Sequence, residues 1–304
     1  MPNWNEVIAE IHQTRQLHPD HNPLDLVRRK YLKQVSEITG RNTIAYYSGW
    51  LQKPTARDTA VNDKDKSGLM LTIHRLDKSK GLDLILHTPG GDIAATESLV
   101  DYLYSMFGKN IRVIVPQISM SAGTMIALSS SEIIMGKHSN LGPIDPQMGG
   151  LACQAVINEF KQAKEDIRKN PHAAALWQVI ISKYHPTFLG ACQQAIEWSE
   201  KMVSKWLEEN MCADDTSIVE NILKTFADHK KQKSHARHIS KRECEEIGLK
   251  IGSLEDNQDL QDAVLTTHHA FMHTFSHTAS VKIIENHNGV AYVENSVPQP
   301  PQPQ

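Results

Sequence analysis

The sequence is poor in cysteine: four in 304 residues, Cys153, Cys192, Cys212 and Cys244, with no CxxC pair and no zinc-ribbon spacing. That excludes a disulfide scaffold and points to reduced thiols in a cytoplasmic protein. It also lacks any apolar run of the ~18 residues that a membrane helix needs, so no membrane association is expected. The opening stretch MPNWNEVIAEIH has no apolar signal core. Charge of neither sign is in excess. The net charge is −3, which gives no bulk attraction for nucleic acid or an anionic membrane. No internal repeat breaks the chain into equal units.

What is present is ordinary for a folded chain: 40% hydrophobic and 22% charged residues, over a length that suits one large domain or two small ones. Sixteen histidines are many, and most are expected at the surface or as hydrogen-bonded packing residues.

Residues 1–40 read as a helical arm of two helices. Trp4, Val7, Ile8 and Ile11 share helical spacing, as do Leu24, Val27, Tyr31 and Val35, and the segment 18–23 with its two prolines separates them. Residues 41–51, rich in aromatic and β-branched types, read as a first core strand. Residues 53–66 are polar and charged and read as a mobile loop, followed by a short helix at 67–76. Strands at 82–87, 111–115 and 132–135 then alternate with helices at 93–107 and up to Leu128. Such alternation with short connections predicts an α/β fold with a largely parallel sheet. From 151 to 228 the pattern is helical, broken by Pro171 and Pro186 into about three pieces. Ser240 and Glu243 form a capping box, a further helix covers 257–277, and Asn288-Gly289 joins a hairpin. Residues 286–304 hold the hairpin end and a Pro/Gln-rich tail expected to be disordered.

Two motifs carry chemistry. Thr88-Pro89-Gly90-Gly91-Asp92 and Ser119-Met120-Ser121-Ala122-Gly123-Thr124 each end a strand and open a helix. In an open α/β sheet, sites form at those strand ends. A serine at such a turn among small residues exposes its hydroxyl, as in a nucleophile elbow, which makes Ser121 the candidate nucleophile. Gly90 and Gly91 let backbone N–H groups approach a substrate, and the Ala122 N–H at the helix start is a second donor. Together they would form an oxyanion hole.

Taken together, HTPGGD (87–92), MSAGTMIAL (120–128), EIIMG (132–136) and LGPIDPQ (141–147) resemble the serine dehydrogenase proteinase family, within the Clp/crotonase group of serine proteases. RNTIAYYSGWL before them and SHARHISKRECEEIGL after them extend the resemblance over residues 40–285. It implies a crotonase/Clp-protease-like layered fold over 41–285, with N-terminal helices and a helical C-terminal half. It also implies a serine endopeptidase acting through an acyl-enzyme, without cofactor or metal, on a peptide or protein substrate, in a homo-oligomer. Its triad would be Ser121, Asp145 and His235. That chain order differs from the Clp proteolytic subunit, where histidine precedes aspartate.

From the residues alone the base stays open. His138, His238, Lys161 and Lys164 are alternatives, the lysines ranking lower because KQAKEDIRK reads as solvated. Two other functions compete: a catalytically silent scaffold or binding protein on the same fold, and an acyl-CoA enzyme that needs the oxyanion donors but no serine. His269, His273 and His277 recur at i, i+4, i+8 beside His268, but Phe271, Met272 and Phe275 among them favour a packed helix over a metal site.

Overall fold

The computed structural model describes residues 4–227 and 237–296. Its strands are β1 (Asn42–Ser48), β2 (Leu82–His87), β3 (Ile111–Val115), β4 (Ile118–Ser119), β5 (Glu132–Met135), β6 (Asn140–Leu141), β7 (Gln147–Met148), β8 (Leu151–Ala152), β9 (Ile239–Ser240), β10 (Ile251–Ser253), β11 (Ser280–Asn286) and β12 (Ala291–Asn295). Seven form the central sheet, in the order β10-β5-β3-β2-β1-β11-β12. From β10 to β1 the neighbours run parallel, and β11 and β12 add antiparallel pairs. A small sheet of β4, β6 and β9 stands beyond the end of β3, and β7 and β8 make a short hairpin.

The helices are α1 (Trp4–Leu17), α2 (Pro23–Thr39), α3 (Lys64–Ile73), α4 (Ile93–Phe107), α5 (Ala122–Leu128), α6 (Cys153–Lys169), α7 (Ala174–Ile181), α8 (Phe188–Glu209), α9 (Val219–Ala227), α10 (Lys241–Glu246) and α11 (Gln258–His277). Their ends follow local chemistry. Asn22 accepts the Leu24 amide at 3.1 Å to open α2, with Pro23 at its first turn. The Ser240–Glu243 capping box forms as the sequence suggests. Beyond the breaks at Pro171 and Pro186, the helical stretch breaks a third time without proline, where Asp215 accepts the Ser217 amide at 3.0 Å and turns the chain.

Strand parity decides which residues meet which helices. Along β2, Leu82, Leu84 and Leu86 face one layer, with Tyr46, Val113, Val115 and helices α3, α4, α5, α8 and α9. Ile85 faces the other, with Tyr47, Ile114, Leu32 of α2 and Phe271 of α11. Helices α1 and α2 pack onto α11 through Val7, Ile11, Leu24, Val27 and Ala270. Helices thus cover both faces of a mainly parallel sheet, the arrangement expected from the alternation of elements. Among the described residues no helix is long and apolar enough to cross a membrane.

Candidate active site

Ser121 sits where β4 hands over to α5. A bridge between Thr88 and Ser119 holds β4 beside the end of β2, and the Met120 N–H donates to the Thr88 carbonyl at 3.0 Å. Ser121 then adopts φ 51° and ψ −118°, one of three described non-glycine residues with positive φ. Such a conformation costs of order 1–3 kcal/mol and persists only where the surroundings impose it. Here the imposing bonds run on either side. The Gly123 N–H donates to the Met120 carbonyl at 2.8 Å, and the Met125 N–H to the Ser121 carbonyl at 3.0 Å. The Ser121 side chain makes no capping bond and is half-buried, so its hydroxyl is not spent on the helix end.

The glycine turn lies directly against this elbow. Gly90 has φ +92°, and a Cβ there would meet the Met120 carbonyl oxygen at 2.6 Å and the Ala122 nitrogen at 2.8 Å. Gly91 is pressed on its other side by Val61, whose backbone oxygen and nitrogen would lie 2.3 and 2.4 Å from an added Cβ. The Val61 N–H donates to the Gly90 carbonyl at 2.8 Å and the Asp92 N–H donates to the Val61 carbonyl at 2.9 Å, a single parallel bridge. In that pattern the bridged residue turns its own N–H away from its partner. The Gly91 N–H therefore points away from Val61, and neither it nor the Ala122 N–H has an acceptor among the described residues. Asp92 closes the turn by accepting the Ala95 amide at 2.8 Å to start α4.

This geometry changes the reading of residues 53–66. Their charge predicts a mobile loop, yet Val61 is 1% exposed and Asp65 is fully buried. The part around Val61 is a wedge against the glycine turn, and α3 begins at Lys64, three residues earlier than the apolar pattern suggests.

Asp145 is 2% exposed, in the loop that leaves β6. The loop is tied to the serine elbow: the Gly142 N–H reaches the Ser119 carbonyl at 3.1 Å and the Thr124 hydroxyl at 2.9 Å. Further on, the Ile144 N–H donates to the Phe226 carbonyl at 3.0 Å and the Cys153 N–H to the Pro146 carbonyl at 2.9 Å. Burial first, then the adjacent Cys192 thiol and the Asp145 charge, push the Cys153 thiol up to about 12. Asp145 is therefore held near the start of α6.

His235 lies outside the described residues. Of the alternative bases, His138 sits on the wrong side of the sheet. Its Nε2 is 2.9 Å from the Pro116 carbonyl oxygen, and its ring lies against Gly136, which shares the parity of Ile134 and so the layer opposite α5. His238 is exposed just before β9, and Lys161 and Lys164 are exposed on α6. The histidines of α11 are mostly packing residues: His273 lies tilted against Trp4 at 3.9 Å between ring centroids, and His268 lies against Tyr47 and His87. Among the described residues no group of three or more His, Cys, Asp or Glu side chains is arranged to hold a metal ion.

His87 carries no signal in the sequence beyond ending a strand. In the structure it is fully buried between Trp50, Tyr47 and His268, with ring centroids 4.3, 5.4 and 5.0 Å away. Burial drives its imidazole down to about 3, with the Ile118 carbonyl pulling weakly the other way.

Comparison with known proteins bears on the family. The family described as ClpP-like SDH-type serine proteinases matches residues 20–252. An uncharacterized protein of Methanocaldococcus jannaschii is 31% identical over 151 residues, covering 48% of this chain and 52% of that protein. A second uncharacterized protein of the same organism is 34% identical over 107 residues, covering 35% of this chain and 36% of that protein. The chain thus spans about half or less of the length of these curated relatives. The match to the family runs through both glycine and serine turns and the Asp145 loop, and on that ground the chain belongs to the ClpP-like SDH-type serine proteinase family.

Proposed function

We propose that the chain is a serine endopeptidase. Ser121 Oγ attacks the carbonyl carbon of a peptide bond, and the carbonyl oxygen becomes an oxyanion held by the Gly91 and Ala122 N–H groups. The C–N bond then breaks, the amine half leaves with a proton, and water releases the acyl half from Ser121. The observation that carries this reading is the strained Ser121 turn, packed against a glycine turn whose Gly91 N–H is unclaimed.

His235 is the general base and acid in this scheme, and Asp145 orients it. Support comes from the described chain on its C-terminal side. Ile239 pairs with Leu141, so the strand that follows His235 is anchored on the strand that leads to Asp145.

The substrate in this reading is an extended peptide. The β7–β8 hairpin, which leaves the Asp145 loop, borders an apolar groove of about 580 Å³ lined by Met148, Leu151, Ile180, Tyr184 and Phe188, suited to an apolar side chain. Leu176 on α7 is 64% exposed and Trp198 on α8 is 41% exposed, apolar side chains that favour association with further copies of the chain. Four free, buried cysteines suit a cytoplasmic setting.

Labelling with a fluorophosphonate probe tests the reading. Wild type should label at one site and Ser121→Ala should not. Equal absence of label in both would leave a scaffold on the same fold.

A further inference from the structure

Lys282 of β11 and Asp65 of α3 form an ion pair at 2.7 Å, with side chains 1% and 0% exposed. Burying two charges is costly, and their attraction offsets the cost only when the remaining protons and lone pairs also find partners. Here two of those partners lie on one short piece of backbone and a third is a side chain of β1. Lys282 Nζ donates to the Ala60 carbonyl at 2.7 Å. Asp65 Oδ2 accepts the Asn62 N–H at 2.9 Å and the Tyr46 hydroxyl at 2.7 Å. Ser48 Oγ adds a bond to the Thr59 carbonyl at 2.6 Å. The residue between Ala60 and Asn62 is Val61, the one that bridges Gly91.

We infer that Lys282 and Asp65 are positioning residues for the oxyanion-binding turn. They hold the peptide groups on both sides of Val61, Val61 holds Gly90 and Asp92, and these aim the Gly91 N–H beside Ser121. The inference rests on the peptidase reading, and neither side chain touches substrate. A buried pair of apolar residues would fill the same space and often matches the stability of an ion pair. It would offer nothing to the Ala60 carbonyl or the Asn62 N–H.

The test compares wild type with the double variant Asp65→Leu/Lys282→Met, which leaves no lone buried charge, and with the milder Tyr46→Phe, which removes one bond to Asp65. Two readouts are taken on each. The first, which needs no activity, is amide hydrogen exchange of Val61 and Asp92, whose N–H groups make the bridge to the glycine turn. Exchange there should rise at least ~10-fold in the double variant while β3 stays protected. The second is turnover of a peptide ester together with the fluorophosphonate labelling rate. Both kcat and the labelling rate should fall ~10- to 100-fold with KM nearly unchanged, because a donor displaced by a fraction of an ångström fails the transition state more than the substrate. Tyr46→Phe should move both readouts in the same direction by a smaller factor, and it decides the matter if the double variant does not fold. Unchanged exchange at Val61 and Asp92 overturns the positioning role whatever the activity. Raised exchange with unchanged kcat overturns its bearing on catalysis. A wild type that never labels brings down the peptidase reading first, and this inference with it.

Discussion

A Cβ added to Gly90 would lie 2.6 Å from the Cβ of Ser121, so the glycine turn and the serine elbow are in direct backbone contact. Gly90→Ala therefore meets both a steric clash and an unfavourable φ of +92°. We expect it to lower stability by about 2–3 kcal/mol in urea unfolding and to cut the fluorophosphonate labelling rate by more than ~100-fold. Gly91→Ala should do the same by pushing on Val61. Labelling near the wild-type rate in either variant would show that the two turns do not act together.

The backbone at Ser121 predicts a conflict between stability and activity. Glycine tolerates φ 51° and ψ −118° without penalty, whereas alanine keeps the strain. Ser121→Gly should be about 1 kcal/mol more stable than Ser121→Ala, and both should be unlabelled. Denaturation midpoints of the two variants check this. Equal midpoints would mean that the elbow is not strained in solution.

Placement on the sheet separates the candidate bases. His138 is bonded to Pro116 on the α11 side, and Lys161 is solvated on α6. His138→Ala and Lys161→Ala should label within about twofold of wild type, whereas His235→Ala and Asp145→Asn should fall at least ~1000-fold. A strong loss in His138→Ala would reassign the base.

His87 makes stability depend on pH. Its folded value, about 3, lies below the ordinary 6.5 because burial disfavours the charged ring. Below pH ~6.5 the unfolded chain takes up a proton that the folded chain refuses, so its stability is full above that pH and declines as pH falls towards 3. At pH 5 the loss from His87 alone is about 2 kcal/mol, and His268, held low mainly by burial and then by His87, adds to it in the same direction. Unfolding free energies at pH 7 and pH 5 should differ accordingly, and His87→Phe should flatten the difference. An equally steep slope in His87→Phe would place its origin elsewhere.

Much of the fold was legible because its central strands are short apolar runs closed by turn residues. β2, β3 and β5 occupy the expected positions, and α4 runs from Ile93 to Phe107 as its periodicity requires. The two-residue strands β4, β6 and β9 were not legible, since two residues show no period and β6 finds β9 only about a hundred residues further along the chain. Ser121, Gly90 and Gly91 stood out because two turns of small residues recur at the ends of successive strands, whereas a lone Pro-Gly-Gly turn is ordinary chain punctuation. Asp65 did not. In sequence it is one charge among several in a polar stretch, and only a lysine far along the chain makes its burial tolerable. His87 was hidden for the converse reason, its character set by Trp50, Tyr47 and His268 around it.

The contact between Lys282 and Ala60 joins positions 222 residues apart. Ser121, Gly91 and Val61 leave the ribosome long before Lys282 does, and the bond that steadies their arrangement closes only when β11 docks beside β1. In the peptidase reading, reactivity at Ser121 would then arrive with completion of the sheet, so the order of folding itself delays it until β11 is in place.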